Sequence, residues 1–305
     1  MPGERIVTEP RWPDFFVVGA PKAGTTALYE HLVATPGICI PTKEVHYFDT
    51  GIDRSMFFTP TVTDQSAYLG LYTACMPDEL AGDCTPSYLV DPFAPTRIAA
   101  ANPNAKIIVL VRDPVDRAVS HFRFREERIG RNGRTLLEAV QASQLARVEG
   151  YSDSYLVHGG RYSEGISRFR DVLGVDRVLV LFFEDLVTNP EDLVRSVTDF
   201  LGVPFAGCAD LDWRARNASS LPRGRLAARL LRSRTVWWLA RRLPTAPAQR
   251  WGRRLLLAST RSTSIDPKAR ALLEAEYAGE ARALEILTGR RPEWPWLGRD
   301  QEMGV

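Results

Sequence analysis

The chain has 305 residues, 45% hydrophobic and 25% charged, with a formal net charge of +2. That is ordinary globular usage and excludes disordered and fibrous classes. No apolar run is long enough to span a bilayer, and the opening stretch MPGERIVTEPRWPD lacks the basic-then-apolar order of a secretory signal, so a soluble, cytoplasmic protein is expected. Cys39, Cys75, Cys84 and Cys208 form no Cys-x-x-Cys pair and have no histidine at metal spacing. They read as reduced, mostly buried thiols, with neither a disulfide framework nor a metal site.

The small net charge hides an asymmetry. Residues 214–261 hold thirteen arginines and no acid, so the remainder of the chain is net acidic. Only Lys22, Lys43, Lys106 and Lys268 among the 39 basic residues are lysines, a skew that genomic base composition accounts for before function does. Each lysine therefore invites a reason.

In chain order, the first strand is Phe15–Gly19, a short apolar run of the kind a buried parallel strand needs. It enters APKAGTTAL, so Gly19, four residues and Gly24 precede Thr25, Thr26 and a helix over Thr25–Val33. Backbone N–H groups at such a junction, with the helix dipole behind them, suit a phosphate. The triphosphate loop pattern G-x-x-x-x-G-K-[ST] is not met, because Thr25 stands where its lysine would be and Lys22 lies inside the loop. The plain alternative is a glycine turn that only joins strand to helix.

Further along, Lys43-Glu44-Val45-His46-Tyr47-Phe48-Asp49 follows Pro41. By residue type alone Lys43-Glu44 reads as a solvated turn, His46 as a packed histidine, and Tyr47 and Phe48 as core. The second strand, Lys106–Val111, ends at Arg112-Asp113-Pro114; Pro114 is placed to open a helix over Val115–Glu127 that carries Ser120. A guanidinium at the carboxyl end of a strand faces the crevice where open α/β sheets bind ligands. Arg112 and the Ser120 hydroxyl suit a second phosphate, and a surface pair between Arg112 and Asp116 or Asp113 is the alternative. A helix over Arg134–Glu149, a strand over Val178–Phe183 and a helix over Glu191–Leu201 continue the alternation. The fold class is therefore α/β, a P-loop-like, doubly wound parallel sheet flanked by helices.

Residues 221–257 interleave arginine with leucine and tryptophan, and Pro244 and Pro247 split two helical stretches. Three readings stand: contact with an anionic membrane surface, a lid or acceptor-binding element, and a helical pair packed on the core. Asp266-Pro267 begins a last helix running toward Leu287 and closed by Gly289. A single domain over 1–305 is expected, with an α/β core at 14–205 and a mainly helical part at 206–305 carrying the Arg-rich insertion.

Taken together, these motifs resemble the sulfotransferases that use 3′-phosphoadenosine 5′-phosphosulfate (PAPS), especially the branch of the heparan sulfate glucosaminyl sulfotransferases. The resemblance follows the family's motif order over most of the chain. Its P-K-x-G-T-T-x-L loop matches Pro21–Leu28, which implies a 5′-phosphosulfate site at Lys22, Ala23, Gly24, Thr25, Thr26 and Ala27. Its R-D-P and serine match Arg112 and Ser120, implying the 3′-phosphate site, to which Arg223-Gly224-Arg225 resembles a contributing loop. Lys43–Asp49 looks like the K-E-x-H-F-F-D segment and implies Glu44 as catalytic base. Thr85-Pro86-Ser87-Tyr88 resembles the T-P-S-Y segment. Two departures concern the acceptor: Asp83-Cys84-Thr85-Pro86 replaces E-K-T-P, and the paired cysteines of the animal enzymes are missing, so heparan itself is not expected.

The implied chemistry is in-line sulfuryl transfer to an acceptor hydroxyl, leaving 3′-phosphoadenosine 5′-phosphate (PAP) and needing no metal. Glu44 would take the hydroxyl proton with its pKa raised by burial, with His46 as the alternative base or an orienting group, while Lys22 neutralises the departing oxygen. The acceptor is a carbohydrate, glycosylated metabolite or lipid. The rival readings are a small-molecule kinase with a divergent P-loop and a nucleic-acid-binding protein using the Arg-rich segment; nucleic acid is not the expected partner. His31, His121 and His158 read as surface or packing residues. Neither G-x-S-x-G nor G-x-G-x-x-G occurs, which sets aside hydrolase and dinucleotide classes.

Overall fold

The computed structural model describes residues 10–49, 61–129, 134–145, 155–207, 220–222, 257–259 and 265–298. Five strands form one parallel sheet in the order β2-β3-β1-β4-β5. These are β1 (Phe15–Gly19), β2 (Ile38–Cys39), β3 (Leu80–Cys84), β4 (Lys106–Val111) and β5 (Val178–Phe182). The two central strands are the continuous apolar runs: Phe15 to Val18 and Ile107 to Val111 are fully buried, as residues covered on both faces must be. Because β1 pairs with β3 on one side and β4 on the other, the loops after β1 and β4 flank the reversal of strand order where such sheets bind ligands.

Helices follow the strands. They are α1 (Thr25–Ala34), α2 (Gln65–Leu71), α3 (Ala94–Ala101), α4 (Pro114–Ile129), α5 (Leu136–Leu145), α6 (Tyr155–His158), α7 (Tyr162–Leu173), α8 (Phe183–Thr188), α9 (Pro190–Leu201), α10 (Pro267–Glu276) and α11 (Glu280–Thr288). Their ends obey local chemistry. Pro114 and Pro190 open α4 and α9. Thr135 and Glu138 bond each other's backbone amides in a reciprocal cap, which starts α5 at Leu136 rather than at Arg134. Gly202, at φ 83°, ends α9.

The sequence reading is corrected at three places. The last helix is broken: α10 stops at Glu276 and α11 starts at Glu280, because Tyr277 turns in to donate to the Val157 carbonyl at 2.7 Å and is buried there. Strands β2 and β3 complete the sheet although their sequences show no apolar run. In β3 the strand includes Gly82 and Asp83, and Gly82 is obligatory because the Phe15 ring fills the space of a Cβ. The cysteine reading is overturned: Cys39 and Cys75 form a disulfide across 36 positions, while Cys84 is a buried free thiol. Cys208 lies outside the described residues. The pair joins the end of β2 to the turn after α2, a meeting that only the folded chain creates.

Most of the Arg-rich segment, with Arg223, Gly224 and Arg225, lies outside the described residues. Its two ends do not: β6 (Ser220–Pro222) and β7 (Leu257–Ser259) pair antiparallel, Leu221 opposite Ala258. The segment therefore leaves and returns at one place. Among the described residues no helix is long and apolar enough to cross a membrane.

Candidate active site

The β1–α1 junction opens a helix with no side-chain cap, a geometry that suits an anion. Gly24 caps α1 at φ 95°, and no side chain caps the helix. The amides that open α1, among them those of Thr25 and Thr26, thus lack intrahelical acceptors. A Cβ at Gly24 would meet the Phe183 ring at 2.9 Å, so close packing and a left-handed backbone both require glycine there. Within the loop, Lys22 adopts φ 70°, and its ammonium sits 4.1 Å from the centroid of Phe124 on α4.

The β4–α4 junction supplies the second cation. Arg112 Nη1 donates to the Lys22 carbonyl at 3.3 Å, and Nη2 lies 3.6 Å from Asp116. The guanidinium also covers the Phe183 ring, 4.7 Å from its centroid. Of the two alternatives for Arg112, the pair with Asp116 is present, and the same guanidinium also ties the β4 end to the loop after β1. Asp116, Ser120 and Phe124 recur every fourth residue of α4 and share one face. Asp116 meets Arg112 and Phe124 meets Lys22, so Ser120 stands on the stripe between the two cations.

The third element, Lys43–Asp49, is irregular, and its backbone is satisfied group by group. Glu44 N donates to the Cys84 carbonyl at 2.9 Å, Val45 N to Thr85 Oγ1 at 3.1 Å, and Tyr47 N to the Tyr88 hydroxyl at 3.1 Å. Those hydroxyls converge on Asp83, which is fully buried. Thr85 donates to its Oδ1 at 2.6 Å, and Tyr68 and Tyr88 donate to its Oδ2 at 2.8 and 3.0 Å. Burial raises the Asp83 carboxyl, and these hydroxyls oppose that rise. Asp83 thus locks the Thr85–Tyr88 turn to the Lys43–Asp49 segment. Tyr47, stacked on Tyr68 at 4.2 Å, and the buried Phe48 are core, as expected.

Lys22, Glu44 and His46 are the only non-glycine residues with positive φ among the described residues, at 70°, 61° and 55°. Such conformations cost an L-residue roughly 1–2 kcal/mol each. They persist where surrounding structure enforces them, and they cluster at functional sites.

His46 is buried and its Nδ1 lies 2.8 Å from Asp49 Oδ2, while Ser87 donates to the same carboxylate oxygen and lies 3.2 Å from the same ring nitrogen. Serine and aspartate thus share one nitrogen of the imidazole. A serine nucleophile needs them on opposite nitrogens, so this trio orients the ring and does not form a hydrolase relay. Asp49 and Ser87 were visible only as parts of motifs; their roles come from this contact.

The expected electrostatics of Glu44 are reversed. Burial does push its carboxyl up, but the Lys43 ammonium, hydrogen-bonded to Oε1, together with His46 and Lys22, outweighs burial and holds it below the ordinary range. Lys43 is itself raised: burial works against its charge, and Cys84, Glu44 and Tyr29 more than compensate. Cys84, at the position of the lysine in E-K-T-P, is buried completely, and its thiol is pushed up to about 12 by desolvation. His31 and His121 are packed residues, both lowered by burial. His158 closes α6.

A parallel sheet with an uncapped glycine turn after β1, an arginine after β4 and a carboxylate–histidine segment between them defines a sulfuryl-transfer fold. Residues 12–217 match the sulfotransferase domain model, and the chain belongs to that family. It is 30% identical over 212 residues to mouse heparan sulfate glucosamine 3-O-sulfotransferase 6, covering 66% of this chain and 56% of that one. The membrane-associated sulfotransferase kil1 of Dictyostelium discoideum is 31% identical over 147 residues, 48% of this chain and 27% of its own length. The chain thus spans little more than half of the first of these relatives and less of the second. A solved sulfotransferase from Alicyclobacillus acidocaldarius superposes with a TM-score of 0.67 at 26% identity, over 92% of this chain and 97% of that one.

Proposed function

We propose that the protein transfers a sulfo group from PAPS to a hydroxyl of a carbohydrate, glycosylated metabolite or lipid. The observation that carries this is the coupling of the two anion sites: Arg112 bonds the Lys22 carbonyl, Lys22 lies on Phe124, and Ser120 lies between. Family membership supports the reaction type. The residues fit the donor: the amides of α1 and Lys22 would hold the 5′-phosphosulfate, Arg112 and Ser120 the 3′-phosphate.

When bound, the donor supplies an activated sulfo group and a phosphate leaving group. The chain's own residues then do three things. Glu44, ionised at neutral pH, accepts the acceptor hydroxyl's proton at its carboxylate. His46, fixed on Nδ1 by Asp49, orients the carboxylate and acceptor. Lys22 places its ammonium where leaving-group charge gathers. A kinase would use a lysine at position 25, where Thr25 is buried instead, so this reading gains no support. A screen of hydroxylated metabolites with labelled PAPS tests the function; transfer to none of them, with PAP bound normally, would reject the acceptor class.

The buried, uncharged Cys84 offers no cation where the heparan enzymes carry a lysine, which favours an acceptor uncharged at that point over heparan. The arginines between 214 and 261 support peripheral contact with an anionic membrane, each worth about 1 kcal/mol near such a surface, and one relative is named as membrane-associated. Sedimentation with anionic and neutral vesicles at low and high salt tests it; no binding at low salt rejects it. The disulfide favours an oxidising compartment over the cytoplasm suggested by the sequence. Alkylation of Cys39 in rapidly quenched cells would speak for the cytoplasm.

A further inference from the structure

The C-terminal stretch after α11 contacts Asp113, Asp185 and Phe182, next to Arg112 and Phe183 in the chain, and nothing in the motifs of the chain gives it a task. Its residues are held tightly. Arg290 donates both Nη groups to the two carboxylate oxygens of Asp185, one at 2.8 Å, and covers the Phe182 ring at 4.7 Å. Six residues later Trp296, buried to 5% exposure, donates its indole N–H to Asp113 Oδ2 at 3.2 Å and stacks on the buried Trp294 at 5.8 Å.

What these two residues grip is what orients Arg112. Asp113 Oδ1 caps α4 by accepting from Val115 N at 2.8 Å and Asp116 N at 3.2 Å. The Asp113 amide donates to Glu184 Oε1 at 3.1 Å. Between the residues held by Arg290, Phe182 and Asp185, stands Phe183, whose ring supports the Arg112 guanidinium and packs against Gly24. The strap therefore holds the residue that caps α4 ahead of Ser120 and the residues on either side of the Phe183 ring that Arg112 covers.

We propose that Trp296, with Arg290, is a positioning residue for the 3′-phosphate subsite: its N–H holds Asp113 so that Arg112 and the Ser120 face of α4 meet that phosphate together. The inference rests on the reading of Arg112 and Ser120 as that subsite. Neither strap residue touches the donor; each acts through Asp113 or Phe183. The indole keeps the second carboxylate oxygen of Asp113 occupied while the first caps the helix, so rotation of the carboxylate is blocked.

The test is a comparison of PAP with AMP, which differ by the 3′-phosphate. Trp296→Phe keeps an aromatic ring against Trp294 and removes the N–H. It is expected to weaken PAP binding about fivefold, the worth of one hydrogen bond, to leave AMP binding unchanged, and to raise KM for PAPS with kcat nearly constant. Arg290→Lys, which keeps the charge but loses the two-point contact, is expected to act in the same direction and provides the test if the first variant does not fold. A folded variant of either kind that keeps the wild-type PAP-to-AMP affinity ratio overturns the proposal. A wild type that binds AMP as tightly as PAP overturns the subsite reading itself.

Discussion

Arg112 donates a hydrogen bond to the main-chain carbonyl of Lys22, joining two strand ends that lie 90 residues apart in sequence. The bond ties the two loops together. Lys22 in turn lies against Phe124, on the same helix face as Ser120.

If that joined site holds the donor, PAP should raise the melting temperature without magnesium, since a ligand that binds only the folded state stabilises it. AMP should stabilise less, and Arg112→Ala should remove the difference between them. Thermal shifts at matched concentrations measure this. Equal shifts by both nucleotides in the wild type would refute the 3′-phosphate role of Arg112 and Ser120.

Glu44 is the acid with a strained backbone beside Lys43, and its assignment as base is testable by Glu44→Gln. Turnover should fall about a hundredfold or more while PAP affinity stays close to wild type. Full turnover in this variant would move the base to His46. In that event His46→Asn, which loses the basic nitrogen, should carry the loss instead.

The sign of the Glu44 shift predicts a pH profile. The group is held below the ordinary glutamate value of 4.5, so the acid limb of kcat/KM should lie below that value and activity should be flat toward neutrality. Its folded-state pKa is depressed, so the stability it contributes is present above the unfolded value and lost as pH falls through the folded one. Lys43→Met removes the largest charge that opposes burial, so the acid limb should move to higher pH; a limb that stays in place would show that Lys43 does not set the charge of Glu44.

The disulfide brackets the segment proposed to carry the base, because Lys43–Asp49 lies between Cys39 and Cys75. Closing a loop across 36 positions is worth roughly 4 kcal/mol by the chain-entropy estimate. Cys39→Ser with Cys75→Ser, or dithiothreitol on the wild type, should lower the melting temperature and reduce turnover more than PAP affinity. Cys84, buried with its thiol raised, should resist alkylation until the protein unfolds. An unchanged melting temperature under reduction would show that the bridge carries no stability.

Several features of this protein are local and therefore legible in the chain. The central strands Phe15–Gly19 and Lys106–Val111 are buried apolar runs, and Gly24 and Pro114 set the starts of the helices that follow them. Each depends on a few neighbouring residues, as does the order strand, anion loop, helix that suggested the donor site. Long-range juxtaposition decided the rest. β3 forms because Phe15 fills the space at Gly82 and three hydroxyls meet Asp83. Cys39 finds Cys75 only once the fold brings the end of β2 to the turn after α2. The last helix breaks because Tyr277 is drawn inward to Val157. Glu44 carries a lowered rather than raised pKa because the field of Lys43, His46 and Lys22 exceeds the cost of burial. Charge–charge energy depends on distances that only the fold sets.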